Sequence, residues 1–202
     1  MKRQRIFSAI ALVACGFVLL APPAQATTLV HRDVPALTRD ADTIVVGRVV
    51  KSESRWTADR RRIVTDVTVE VGESLKGAPG KTVVIRQPGG RVGDIGQRVD
   101  GVASFKQGEE VVVFLEQRPD RSFMLSGMSQ GKFRVERSWD GKDVLAVPEP
   151  TGGARTVDPV TGKELEVERK PMPLLDLEDE VRRTLAQPAP EQVQPPLKKG
   201  TR

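Results

Sequence analysis

Ile63-Val64-Thr65-Asp66-Val67-Thr68-Val69-Glu70-Val71 is the stretch whose reading decides the fold class. Ile63, Thr65, Val67, Val69 and Val71 alternate with Val64, Asp66, Thr68 and Glu70, a period of two that turns one face inward and leaves the other mostly polar. It reads as a half-buried strand. Ile44-Val45-Val46-Gly47-Arg48-Val49-Val50 and Val111-Val112-Val113-Phe114-Leu115 are apolar on both faces, so they belong at the centre of a sheet. Gly47 inside the first run predicts a bulge or a close backbone approach. Thr82 to Arg86, Ser122 to Leu125, Lys132 to Arg137 and Val144 to Val147 are shorter strands of the same set. Trp139-Asp140-Gly141-Lys142 carries an Asp-Gly pair, the signal for a two-residue hairpin turn. Glycine or proline punctuates Thr43 to Val147 about every ten residues, the strand spacing of a sandwich or barrel.

Two helices flank the strands. Val34 to Ala41 has Asp33 as its N-cap and Pro35 in its first turn. Leu174, Leu177, Val181 and Leu185 follow helical spacing, with Asp176, Glu178, Asp179 and Glu180 early and Arg182 and Arg183 late, as the helix dipole favours. That single apolar stripe packs on the barrel or caps an open end. From Pro148 onward proline and charge dominate. Gln187 to Arg202 holds Pro188, Pro190, Pro195 and Pro196 and too few apolar groups to offset its ordering entropy, so disorder is expected there. The expected organisation is a signal peptide at 1–26, an OB-like barrel domain at 27–150, a connector with a C-terminal helix (about 174–186) at 151–187, and a Pro-rich tail at 188–202.

Lys2, Arg3 and Arg5, the apolar run Ile6 to Ala21 and the small-x-small site Ala24-Gln25-Ala26 make the leader secretory, with Thr27 as the new N-terminus. Leu12-Val13-Ala14-Cys15-Gly16 is the competing lipobox, with an anchor through Cys15 as the alternative, but the apolar run continues past the cysteine. The run is also shorter than the ~20 residues of a membrane span and ends in Pro22-Pro23, so no span is expected in the mature chain. Cleavage removes the sole cysteine and lowers the formal charge from +5 to +2. A secreted, nearly neutral chain is not expected to bind nucleic acid. Arg60-Arg61-Arg62, near Trp56, reads as a solvated hairpin tip, with a phosphate-binding patch as the sharper alternative.

Catalytic resources are sparse. His31 is the only histidine and sits in an N-terminal arm expected to be flexible and exposed, where it is a poor base for Ser104, Ser126 or Ser129. One histidine and no retained cysteine do not make a zinc site, and no cofactor or metal is expected. Asp94 with Asp100, or Glu109 with Glu110, are the carboxylates available to a hydrolase or lyase, although Glu109 and Glu110 are adjacent in a strand and must face opposite sides. Pro88 to Gly96 is the densest glycine segment but lacks the Gly-Lys-Ser/Thr ending of a phosphate loop. It reads as an inter-strand loop and as a recognition surface, with Gly89, Gly90, Arg91 and Asp94 as candidate contacts.

The order of elements resembles the OB-barrel of the netrin and tissue-inhibitor-of-metalloproteinases superfamily, and uncharacterised secreted bacterial proteins of the same pattern. The residues that carry the resemblance are Asp40 to Val49, Val67 to Gly77 ending in Leu75-Lys76-Gly77, and Phe105 to Leu115. It implies a mainly β fold, an OB-like antiparallel barrel with a short N-terminal helix and a C-terminal helix. It also implies binding of an extracytoplasmic protein, a protease among the candidates. The family's inhibitors chelate the protease zinc through the backbone of an N-terminal cysteine held by disulfides. Here Thr27, followed by Thr28, takes that place, and no disulfide can pin it. The expected function is therefore a secreted or periplasmic non-enzymatic protein-binding module. The alternatives are an extracytoplasmic carboxylate-dependent hydrolase and an envelope-attached structural protein.

Overall fold

The computed structural model describes residues 27–188. The leader with Cys15, and the tail beyond Pro188, lie outside the described residues. Among the described residues no helix is long and apolar enough to cross a membrane.

The alternating stretch lies in a long strand, β3 (Ile63–Lys76), that pairs antiparallel with an equally long β2 (Thr43–Trp56) after the short β1 (Thr28–Val30). β4 (Thr82–Pro88) adds to β3, and β7 (Glu110–Gln117) adds to the other edge of β2. A small hairpin of β5 (Gly90–Val92) and β6 (Ile95–Gln97) intervenes in the chain between β4 and β7. β8 (Phe123–Leu125) pairs antiparallel with the C-terminal half of β7 and parallel with β4, through Ile85 and Phe123. The ring β2-β3-β4-β8-β7 thereby closes into a five-stranded OB-like barrel.

Inside the ring, Val45, Val49, Val67, Val69, Val83, Ile85, Val111, Val113, Leu115, Phe123 and Leu125 form the core that the period-two pattern requires. β2 and β7 are buried on their outer faces as well. There Ile44, Val46, Val112 and Phe114 meet two helices, α1 (Val34–Asp40) through Leu37 and Ala41 and α2 (Leu174–Ala186) through Leu177 and Val181. Thr184 rather than Leu185 closes the buried stripe of α2, its hydroxyl donating to the Glu180 carbonyl at 2.8 Å.

Asp33 caps α1, its Oδ1 accepting the Ala36 N–H at 2.7 Å with Pro35 in the first turn. An Asp33→Ala variant is expected to lose about 1 kcal/mol of stability in urea denaturation, because that N–H loses its acceptor.

The sheet continues past β7 into β9 (Lys132–Arg137), β10 (Val144–Pro148) and β12 (Met172–Pro173). Between β8 and β9 a short 3-10 turn at Met128–Gly131 moves the chain from one half of β7 to the other. Gly131 permits this turn, since a Cβ there would sit 2.3 Å from the Ser126 carbonyl oxygen.

Three expectations are corrected. The turn after β9 is a four-residue loop rather than a two-residue one, closed by the Ser138 N–H to the Asp143 carbonyl (2.9 Å). Ser138 and Asp140 side chains brace it from within, which a bare Asp-Gly pair does not announce. Pro88 to Gly96 is not an open loop but holds the β5–β6 hairpin. The N-terminal arm is not free: β1 pairs in parallel with β11 (Arg155–Val157), Leu29 is buried, and the His31 N–H bonds the Val157 carbonyl at 2.8 Å. A buried Gln130 fastens the same arm, donating to the Val30 carbonyl (2.9 Å) and accepting the Arg32 N–H (3.0 Å). The pairings of the arm have no local sequence signal, since they join segments about a hundred residues or more apart in the chain.

Candidate functional site

The candidate contacts Gly89, Gly90, Arg91 and Asp94 all belong to or border the β5–β6 hairpin. Its base is rigid. The Gly89 carbonyl accepts the Thr65 hydroxyl (2.7 Å), the Gly89 N–H reaches the Ile63 carbonyl (2.8 Å), and Gln97 Oε1 accepts the Ile63 N–H (2.8 Å). A Cβ on Gly90 would lie 2.3 Å from both the Ser54 and Thr65 hydroxyl oxygens, themselves 2.9 Å apart, so this glycine presses the hairpin onto the barrel end. Gly89 is buried and Gly90 half-buried, which makes both of them packing positions. Arg91 and Asp94 are exposed toward the tip, where Ile95 is 56% exposed.

Thr27 and Thr28 lie on the β1–β11 ladder. The Thr27 carbonyl accepts the Arg155 N–H at 2.9 Å, and Thr28 is exposed opposite Arg155. Three residues before Arg155, Gly152 lines a groove of about 260 Å³ whose other walls include Gly89, Gly90, Gln97, Val102 and Ser104. Both candidate segments therefore border one end of the barrel.

Beneath that groove is a polar centre with no signature in the sequence. Lys132, the first residue of β9, is completely buried, and its ammonium donates to Glu109 Oε1 (2.8 Å), to Glu149 Oε2 (3.2 Å) and to the Ser104 carbonyl, 4.5 Å from the Phe105 ring centroid. Glu149 is 6% exposed and its other oxygen accepts both the hydroxyl (2.6 Å) and the N–H (3.0 Å) of Ser104. Burial pushes the Glu149 carboxyl up, but the Ser104 hydroxyl and the Lys132 charge outweigh it and hold the group below its ordinary range. The Lys132 ammonium has three donors and no lone pair, so it offers no acceptor to Ser104, whose hydroxyl donates to Glu149 instead. The arrangement clamps the loop that follows Asp100 to β7, β9 and the end of β10. Arg169 closes it from the connector, lying 4.8 Å over the Phe133 ring and donating to the Gln130 carbonyl at 2.8 Å. Burial pushes its guanidinium down to about 10, so it remains charged at neutral pH.

The other catalytic candidates are dispersed. Glu109 faces Lys132 while Glu110 faces Arg137 on the opposite side (2.9 Å), as adjacent strand residues must. Asp100 pairs with Arg98 and Asp94 is exposed on the hairpin. Ser126 and Ser129 are buried with unpartnered hydroxyls, and His31 is half-buried with Nδ1 unpartnered rather than exposed. Among the described residues no group of three or more His, Cys, Asp or Glu is placed to hold a metal ion. The geometry among the described residues is that of a non-catalytic-looking β-barrel domain, consistent with a protein-binding module. No protein-family model matches the chain, and no curated protein matches it at a significant level.

Proposed function

We propose that this chain is a non-enzymatic protein-binding module that acts outside the cytoplasm after loss of residues 1–26, and that it holds its partner at the barrel end bordered by β1 and the β5–β6 hairpin. The observation that carries this reading is the exposed Ile95 at the tip of a hairpin whose base is locked by Gly89, Gly90 and Gln97. An apolar anchor on a rigid support binds without a large ordering cost, and the charged Arg91 and Asp94 beside it supply a polar rim. The buried Lys132 centre supports the reading further, because it fixes the neighbouring loop through Ser104. The partner is an extracytoplasmic protein. The resemblance to metalloprotease inhibitors makes a protease the sharpest version; the Arg155 N–H orders the Thr27 segment but occupies its carbonyl, which leaves the terminal amine as the group to ligate zinc.

Immobilised residues 27–202 exposed to extracytoplasmic fractions should capture a partner, identified by mass spectrometry and then titrated by calorimetry. Ile95→Ser and the double variant Arg91→Ala/Asp94→Ala are each expected to weaken that complex about tenfold or more. Unchanged affinity in both would remove the hairpin from the contact. One glycine added before Thr27 should abolish inhibition of a metalloprotease panel if the terminal amine is a zinc ligand. Inhibition that survives the addition, or no inhibition at all, rejects the protease version alone.

A further inference from the structure

Two hairpin loops of the barrel place arginine where the backbone calls for glycine. In the β2–β3 loop the Arg60 N–H bonds the Thr57 carbonyl (2.8 Å) and the Thr57 N–H bonds the Arg62 carbonyl (2.8 Å), with Arg60 at φ 54°. The β9–β10 loop repeats this turn: Gly141 N–H to Ser138 carbonyl (2.9 Å), Ser138 N–H to Asp143 carbonyl (2.9 Å), and Gly141 at φ 70°. Even the bracing matches, with Asp59 accepting the Thr57 hydroxyl (2.5 Å) and the Arg61 N–H (3.2 Å), and Asp140 accepting the Ser138 hydroxyl (2.6 Å) and the Lys142 N–H (3.3 Å). The same turn thus carries glycine at its left-handed position in one loop and arginine in the other. In the β7–β8 loop Arg121, at φ 65°, occupies the equivalent position, its N–H on the Arg118 carbonyl (3.0 Å) and Asp120 bracing Ser122.

A bulky residue at positive φ is strained, and strain of this kind is retained where the side chain is used. The two loops stand at different ends of β4 and are joined along one face of the barrel. A chain of ion pairs runs from Arg55, just before the first loop, through Asp66 and Arg86 to Asp120 in the second. Arg55 and Arg86 are neutralised in it. Among the described residues, Arg60, Arg61, Arg62, Arg118 and Arg121 form no ion pair, and all but the half-buried Arg118 are exposed. Arg121 lies beside Thr82, Val83 and Val84, whereas the β2–β3 loop lies beyond the Gly89–Ile63 bond at the other end of β4, which separates the two free clusters by about 20 Å or more along the strand.

We propose that these two arginine loops form a bipartite docking surface for a linear phosphate-bearing polymer. A guanidinium fork matches the tetrahedral phosphate oxyanion, and two preorganised clusters linked by a neutralised strip suit a flexible chain that touches both. Trp56 is half-buried in its strand, so the surface offers no exposed aromatic platform on which bases could stack.

The test uses residues 27–202 and linear inorganic polyphosphate of graded length at low salt. Affinity should step up where the chain first spans both loops and should fall steeply with added salt. The variant Arg60→Gly/Arg121→Gly installs the residue that Gly141 already uses, so its Tm should equal or exceed that of the parent while affinity falls at least tenfold and the length step disappears. Unchanged affinity, or a lowered Tm showing that the arginines hold the fold, overturns the proposal. So does binding to phosphatidylglycerol vesicles or to oligothymidylate that matches or exceeds binding to the phosphate chain. Capture of the hairpin's protein partner is expected to be unaffected by this variant.

Discussion

Replacing Lys132 with methionine is expected to destabilise the protein by about 3–5 kcal/mol in urea denaturation, because Glu109 and Glu149 then lose their buried cation and Glu149 keeps only the part-exposed Arg134 at 3.9 Å. Methionine keeps the apolar stem and removes only the ammonium, so the loss reports the charge rather than a cavity. The double variant Lys132→Met/Glu149→Gln should recover a large part of it, since glutamine still accepts from Ser104 and carries no charge. A loss below about 1 kcal/mol in the single variant would mean that water solvates Glu149, and would remove the clamp.

The same centre sets a pH dependence. The folded Glu149 carboxyl lies below its unfolded range, so its contribution is fully present above the ordinary glutamate value and disappears as pH falls through the lower, folded one. Stability of the parent should therefore decline below about pH 4, while the Lys132→Met variant, whose Glu149 protonates more readily, should approach the parent on the acid side. An acid limb identical in both proteins would assign that decline to other carboxylates. Asp66, Asp120, Asp59 and Asp140 are also held low and remain in both.

Gly47→Ala is expected to remove about 2–3 kcal/mol, by a different route. A Cβ at Gly47 would lie 2.3 Å from the Glu70 carbonyl oxygen and 2.8 Å from Val69 Cγ1, and a backbone oxygen cannot turn away as a side chain can. The β2–β3 register already shifts between Val46 and Gly47, so the pair must separate further or lose ladder bonds between the two longest strands. Gly96→Ala is the matched control. Nothing lies within 4 Å of its Cβ and its backbone is ordinary, so its effect should stay within about 0.5 kcal/mol. Equal midpoints and slopes for the two variants would show that the strands relax around the methyl group.

Gly47 also shows how far the chain reads without its fold. A glycine interrupting an apolar run announces a bulge or close approach, and both occur, but the run does not say that Glu70 is what approaches. The helix cap at Asp33 was legible to the residue, because a cap is a contact three positions away. Gly89 and Gly90 were legible as a place where glycine matters, yet their dense spacing gave no sign that they seal the hairpin against Ser54 and Thr65. Lys132 was invisible. In Lys132-Phe133-Arg134-Val135-Glu136-Arg137 it looks like any charged strand residue, and its partners stand 23 and 17 positions away.

Local chemistry accounts for what the sequence determined by itself: the β-rich class, the two-sided burial of β2 and β7, and the two flanking helices. Period, capping and turn residues act within a few positions, so they are written in neighbouring letters. Tertiary structure alone decided the parallel β4–β8 contact that closes the ring, the β1–β11 ladder that pins the N-terminal arm, the Lys132 centre, and the placement of two arginine loops on one surface. Each depends on long-range contacts whose loop-closure entropy is offset only by the whole packed core, so no single segment carries a sign of them.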